Sequence, residues 1–148
     1  MPFHWLDRTK EILKDLENQS IIVPSDVASD FCSPSFCVPK QNNPSEPRLV
    51  VDFTKINEKI KRPFHPMQSV TEAWRGVPPG MKWFATLDLS ASYWQIPVHE
   101  ESQELLTFMA PTGTEAGRFR WTRLPMGLAI SSDRFNRLVE EAMKKSRG

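Results

Sequence analysis

Trp83-Phe84-Ala85-Thr86-Leu87-Asp88-Leu89-Ser90-Ala91-Ser92-Tyr93-Trp94-Gln95-Ile96 is the stretch on which the fold of this chain turns. Its first half is apolar, aromatic and β-compatible, which reads as a buried strand. The strand ends on one carboxylate, Asp88, and the small residues Ser90, Ala91 and Ser92 follow before Tyr93. A carboxylate at the end of a buried strand, with an uncrowded backbone after it, suits a hard cation. The same letters also fit a helix cap, with a helix beginning near Ser90. Both readings stand on this stretch alone, and the flanks have to decide between them.

The chain has 148 residues, enough for one domain with its own core. A proline or a charge interrupts every apolar run before it reaches membrane length, so no membrane partner is expected. Met1-Pro2-Phe3-His4-Trp5 lacks the basic and apolar regions of a secretory signal, which points to an intracellular protein of cytoplasm or nucleus. Cys32 and Cys37 form no CxxC and have no histidine pair nearby. Reduced, packed thiols are therefore expected rather than zinc, with a disulfide the less favoured alternative. The 13 prolines cut the chain into short elements and argue against a helical bundle.

Net charge is only +1 but unevenly placed. Lys40, Arg48, Lys55, Lys59, Lys61 and Arg62 form one basic flank, and Arg118, Arg120, Arg123, Arg134 and Arg137 form another. Between them, residues 83–117 carry Asp88, Glu100, Glu101, Glu104 and Glu115 and no Lys or Arg. Two basic flanks around an acidic centre suit a polyanion held beside a cation. Ordinary solvated charge is the alternative.

In chain order, Leu6 to Asn18 is an amphipathic helix with Leu6, Ile12, Leu13 and Leu16 apolar. Ile21-Ile22-Val23 is a short strand stopped by Pro24, with a loop to Asp30. Pro34–Lys40 and Pro47–Phe53 form a hairpin around the turn formers Gln41–Glu46, placing Lys40 and Arg48 near each other on its arms. Arg suits bidentate phosphate capture and stacking on a base, Lys a point-charge contact; solubility is the plainer explanation of both. Arg62–Pro66 is extended before its prolines, and His65 reads as a packing or surface residue. Met67–Arg75 is a helix ended by Gly76. Leu105–Met109 and Arg118–Leu124 make a second hairpin. The latter alternates, putting Arg118, Arg120 and Arg123 towards solvent and Phe119 and Trp121 inward. Pro125–Leu128 is a turn before a helix capped by Ser131 or Ser132, with Phe135, Leu138, Val139, Ala142 and Met143 on its apolar face.

Three stretches stand in a known order: Arg48-Leu49-Val50-Val51-Asp52-Phe53-Thr54-Lys55-Ile56-Asn57, Leu87–Ile96, and Leu124-Pro125-Met126-Gly127-Leu128 with Phe135 downstream. Together they resemble the reverse transcriptase domain of LTR retrotransposons, particularly the gypsy-like group, and more distantly that of retroviruses. The resemblance also takes in Ser33–Lys40 and the N-terminal helix. It implies an α+β fold, a partial right-hand polymerase with a fingers hairpin and an incomplete palm. The N-terminal helix and fingers would occupy about 1–82, and a palm with motifs A and B would occupy about 83–148.

By resemblance, Lys40 and Arg48 approach the triphosphate and Arg48 packs on the incoming base. Asp88 is the first catalytic aspartate and a metal ligand, with the Leu89 carbonyl added. The amides around Ala91 and Ser92 face the triphosphate, and Tyr93 lies under the sugar and excludes a 2′-hydroxyl. Met126 and Gly127 line the nucleotide pocket. Arg118, Arg120 and Arg123 are candidate nucleic-acid contacts. The implied cofactor is Mg2+, or Mn2+, and the implied partners are an RNA or DNA template-primer and a dNTP. Phosphoryl transfer asks for positioning and charge neutralisation, which is why carboxylates, cations and basic side chains gather there.

The departures from that pattern matter as much. The family palm carries a second carboxylate cluster, usually Tyr-x-Asp-Asp, and no Asp-Asp pair occurs in these 148 residues. By the same resemblance, no thumb, connection or RNase H region is expected within these 148 residues. Thr54 stands where Arg is common, and Met126 where Phe or Gln is usual. The isolated chain is thus expected to be an inactive fragment of an RNA-directed DNA polymerase. Its palm edge would stay open, to be covered by a partner or by self-association. The alternatives are a retroelement-derived nucleic-acid-binding module without catalysis, or a relic without selected function.

Overall fold

An amphipathic helical repeat gives the first element of the structure, a computed structural model that describes residues 2–27, 29–62 and 69–145. Helix α1 (Leu6–Asn18) follows a 3-10 turn at Phe3–Trp5 and buries Thr9, Leu13 and Leu16, one face of a 3.6-residue repeat. It lies on a hairpin of β3 (Ser35–Lys40) and β4 (Asn43–Val51), which follow the short strands β1 (Ile22–Pro24) and β2 (Cys32–Ser33). Trp5 Nε1 donates to the Ser45 carbonyl at 3.1 Å, and Thr9 Oγ1 sits 3.3 Å from Cys37 Sγ.

The single-turn helix α2 (Thr54–Asn57) follows β4, and α3 (Val70–Arg75) follows in turn, with Gly76 next. The expectations for residues 63–68, His65 included, lie outside the described residues. Further on come α4 (Glu100–Gln103), β5 (Thr107–Met109), β6 (Arg118–Trp121) and α5 (Ser131–Lys145). The expected second hairpin is β5–β6, with Phe108 opposite Phe119. It becomes the centre of a four-stranded sheet ordered β1-β6-β5-β2, in which β1 is antiparallel to β6 and β2 parallel to β5.

The core sits where α1 and the end of the β3–β4 hairpin meet this sheet. Phe108 is fully buried, with Phe119 at 5.8 Å and Trp121 at 5.6 Å between ring centroids. Leu13, Leu16, Ile22, Phe53, Leu106, Leu124 and Leu128 close around them. Sheet and core thus draw on residues from both sides of position 83.

Several expectations need correction. Trp83–Leu89 forms no strand: the segment is exposed and unpaired, with Trp83 92%, Phe84 68% and Leu87 84% exposed. An extended run is stable only against a ladder that takes its N–H and C=O groups. The edges of the sheet are β1, three residues ending on Pro24, and β2, two residues followed by Pro34, and neither offers a ladder of that length. The Phe84 ring stacks on exposed Trp74, at 6.5 Å.

No helix starts at Ser90. Ala91 takes a left-handed backbone (φ 48°) at the head of one 3-10 turn, Ser92–Gln95, without a side-chain cap. Pro97 forces Ile96 to be extended and ends the turn. The chain then runs beside β6, with the Val98 N–H bonded to the Thr122 carbonyl and the Leu124 N–H to the Ile96 carbonyl, both at 2.9 Å.

The hairpin loop is two residues, Gln41 and Asn42, rather than six. Pro44 and Pro47 fit an extended backbone, so β4 continues through them, and the register shift falls at Pro39/Lys40. Ser131 does not cap α5; its hydroxyl donates to the Pro125 carbonyl at 2.7 Å. The expected apolar face of α5 is partly uncovered, with Leu138 46% and Met143 51% exposed.

Candidate active site

The hairpin places Arg48 opposite Val38 and Lys40 opposite Asn43. The Lys40 ammonium lies 3.2 Å from Glu46, and the same carboxylate oxygen accepts Arg8 Nε at 3.3 Å. Arg8 also pairs with Glu11 at 2.7 Å. Lys40 first and then Arg8 hold the Glu46 carboxyl below its ordinary range. The Arg48 side chain is exposed and, among the described residues, makes no hydrogen bond or ion pair. The Arg8–Glu11 pair is visible in sequence as an i,i+3 spacing. Glu46 is not, because the hairpin brings it to α1 from 38 positions away.

Asp88 and Leu89 sit in the exposed segment ahead of the 3-10 turn. Among the described residues no hydrogen bond or ion pair joins Asp88 to Lys40, Arg48 or any other side chain. The turn itself is well tied. Gln95 Nε2 donates to the Ser90 carbonyl at 2.9 Å, and the Trp94 N–H to the Ala91 carbonyl at 2.9 Å. Tyr93 packs edge-on against Phe135 at 5.5 Å, and its hydroxyl lies 3.3 Å from Ser132 Oγ. The segment after Asp88 is therefore docked on the start of α5, while Asp88 itself projects into solvent.

Met126 is exposed and Gly127 has φ +93°, in the left-handed region that favours glycine. Two contacts that sequence reasoning did not foresee hold this region. Asn57 bonds both sides of the turn, and Arg62 meets the buried carboxylate of Asp133 through Nε at 2.6 Å and Nη2 at 3.1 Å. An Asn in a polar helical turn and an Asp in a helix's first turn look like surface residues in sequence, so neither carried a signal.

Phe119 and Trp121 are buried, as the pattern predicts, whereas Arg118, Arg120 and Arg123 are half-buried rather than turned fully to solvent. Arg118 Nη2 reaches the Asp26 carbonyl at 3.4 Å, and Arg120 Nε is buried without a hydrogen-bond partner. An apolar groove of about 560 Å³ lies between α2, the 96–98 segment and α5, and none of the sequence-predicted site residues lines it.

The donors for a pair of divalent ions do not come together here. Asp88 is one exposed carboxylate, the Leu89 carbonyl adds one neutral oxygen, and no cluster of three or more His, Cys, Asp or Glu occurs among the described residues. Two hard cations need several anionic oxygens between them. No helix among the described residues is long and apolar enough to cross a membrane.

Residues 38–148 match the family model described as reverse transcriptase (RNA-dependent DNA polymerase). The chain is 33% identical over 147 residues to the retrovirus-related Pol polyprotein from transposon gypsy of Drosophila melanogaster, covering 96% of this chain and 13% of that protein. It is 27% identical over 136 residues to the Gag-Pol polyprotein of walleye dermal sarcoma virus, covering 92% of this chain and 7% of that protein. Prototype foamy virus protease-reverse transcriptase superposes with a TM-score of 0.78 at 26% identity, over 95% of this chain and 18% of that one. A foamy viral protease-reverse transcriptase in complex with double-stranded DNA shares the fold, with a TM-score of 0.75 at 23% identity, over 98% of this chain and 23% of that one.

Proposed function

The chain belongs to the reverse transcriptase (RNA-dependent DNA polymerase) family, and we propose that it supplies the fingers and N-terminal palm of such a polymerase in a gypsy-like retroelement. Residues 1–82 would contribute the N-terminal helix and fingers, and 83–148 the first part of the palm. One observation carries this reading: an exposed, unpaired Arg48 on the β3–β4 hairpin, Asp88, and a left-handed Gly127 turn occur in family order within the matched residues.

In this reading Arg48 meets the triphosphate and the incoming base, and Lys40 exchanges Glu46 for phosphate. The amides near Ala91 and Ser92 face the phosphates, Tyr93 underlies the sugar, and Met126 and Gly127 close the pocket. Reverse transcriptases use divalent metals. Asp88 and the Leu89 carbonyl would hold Mg2+ or Mn2+, which would offset phosphate charge. The partners are a dNTP and an RNA or DNA template-primer. These 148 residues do not complete a two-metal site, so the polypeptide by itself transfers no nucleotide. The apolar side chains of 83–89 and of α5 are the surface that further palm structure, a partner or a second copy covers.

Titration of the chain with a fluorescent dNTP and Mg2+ tests this. Arg48→Ala is expected to weaken binding about tenfold, the value of a charge-assisted contact; unchanged affinity refutes the role.

A second reading, nucleic-acid binding without catalysis, is favoured by Arg118, Arg120 and Arg123 along β6 and the unpartnered Arg120 Nε. It requires salt-dependent affinity for primed template that falls on Arg120→Ala. Affinity unaffected by that change removes it.

A further inference from the structure

We propose that Asn57 is a positioning residue of the nucleotide site, holding the Met126–Gly127 turn in register with the hairpin that carries Arg48. This rests on the reading that the turn lines a nucleotide pocket. The Asn57 amide spans the turn with both of its polar atoms. Nδ2 donates to the Gly127 carbonyl at 2.9 Å, and Oδ1 accepts the Ala129 N–H at 2.8 Å. Between those two points Leu128 is buried in the core. The amide therefore stands where a neighbouring strand would stand, satisfying the outward carbonyl and N–H while the residue between them points inward.

The side chain's chemistry is specific to the task. Only an amide of this length presents a donor and an acceptor in one plane. Aspartate offers two acceptors and faces the Gly127 carbonyl with like charge, and alanine offers neither group. The clamp also has a fixed base. Asp52, next to the end of β4, accepts the Thr54 N–H at 2.9 Å and starts α2, and Phe53 is buried 3.6 Å from where a Cβ on Gly127 would stand. β4, α2 and the turn are thus joined without a flexible link, and Arg48 lies on the same β4. A second tie, Arg62 to Asp133, holds the next segment to α5 at a point beyond the turn.

Asn57→Asp and Asn57→Ala are to be compared with Arg62→Gln and Arg48→Ala in the 148-residue chain. The readouts are fluorescent dNTP affinity with Mg2+, Ala129 amide exchange and melting temperature. Both Asn57 variants are expected to bind the dNTP about five- to tenfold more weakly, the value of one ordinary hydrogen bond, and to exchange Ala129 at least about tenfold faster. Arg62→Gln is expected to lower the melting temperature with nucleotide affinity within about twofold, since its tie lies beyond the turn. Asn57 variants that bind like wild type while Arg48→Ala binds weakly overturn this inference alone. Unchanged Ala129 exchange overturns it as well. A wild-type chain that binds no dNTP overturns the nucleotide reading and this inference with it.

Discussion

Replacing Trp83 with alanine separates the structure from the pattern of its sequence. A tryptophan in a buried strand costs about 3–5 kcal/mol on truncation, from lost transfer energy and the cavity left behind. Trp83 keeps 92% of its surface in water and belongs to no strand. It therefore forfeits only about a tenth of that, roughly 0.3–0.5 kcal/mol, or a fall in melting temperature of about 1–2 °C. Urea unfolding followed by far-UV circular dichroism reads the difference without depending on tryptophan emission. Dilute protein is required, because association through the exposed 83–89 side chains would stabilise the folded state by mass action. The Trp83→Ala chain is also expected to be the more soluble of the two. A loss of about 2 kcal/mol or more in dilute solution would refute the reasoning, since only a packed indole can supply it.

The opposite result is expected for Phe108→Ala. This ring is fully buried between Phe119 and Trp121, so about 3–5 kcal/mol should be lost in the same titration; a loss below about 1 kcal/mol would mean that the core is misplaced. Gly127→Ala puts a side chain at φ +93° and should cost about 1 kcal/mol or more by strain alone, read in the same way. For pH, the Glu46 carboxyl is held below its ordinary 4.5 by Lys40 and Arg8. Its folded-state value is depressed, so its contribution is present above the ordinary value and fades as pH falls through the lowered one. Glu46→Gln should therefore melt below wild type at pH near 7, and the gap should close as pH falls through the lowered carboxyl value and shrink in salt. A gap that persists in acid would assign the effect elsewhere.

Local patterns made part of this fold legible. The spacing of Leu13 and Leu16 defines α1, and the alternation through Arg118-Phe119-Arg120-Trp121 defines β6, including which side chains turn inward. The β3–β4 hairpin is marked by its prolines and turn formers, though not the length of its turn. What escaped was non-local. Ile22 pairs with Trp121 and Cys32 with Thr107, and nothing near either short strand names a partner so distant. Trp83–Leu89 has the composition of a buried strand, but composition says nothing of whether an edge exists to receive it. The site divides in the same way. Motif order marked Arg48, Asp88, Tyr93 and Gly127. Glu46, Asn57 and the Arg62–Asp133 pair act through contacts 38 to 72 positions apart, and the sequence shows them as ordinary polar residues.

Primer extension by the purified 148-residue chain is the most direct test of the claim that Asp88 belongs to a metal site whose remaining carboxylates are not among these residues. The chain, given a primed RNA template, dNTPs and Mg2+ or Mn2+, is expected to bind the template in a salt-dependent way and to extend no primer. Template-directed, metal-dependent nucleotide addition that disappears in Asp88→Asn would contradict it.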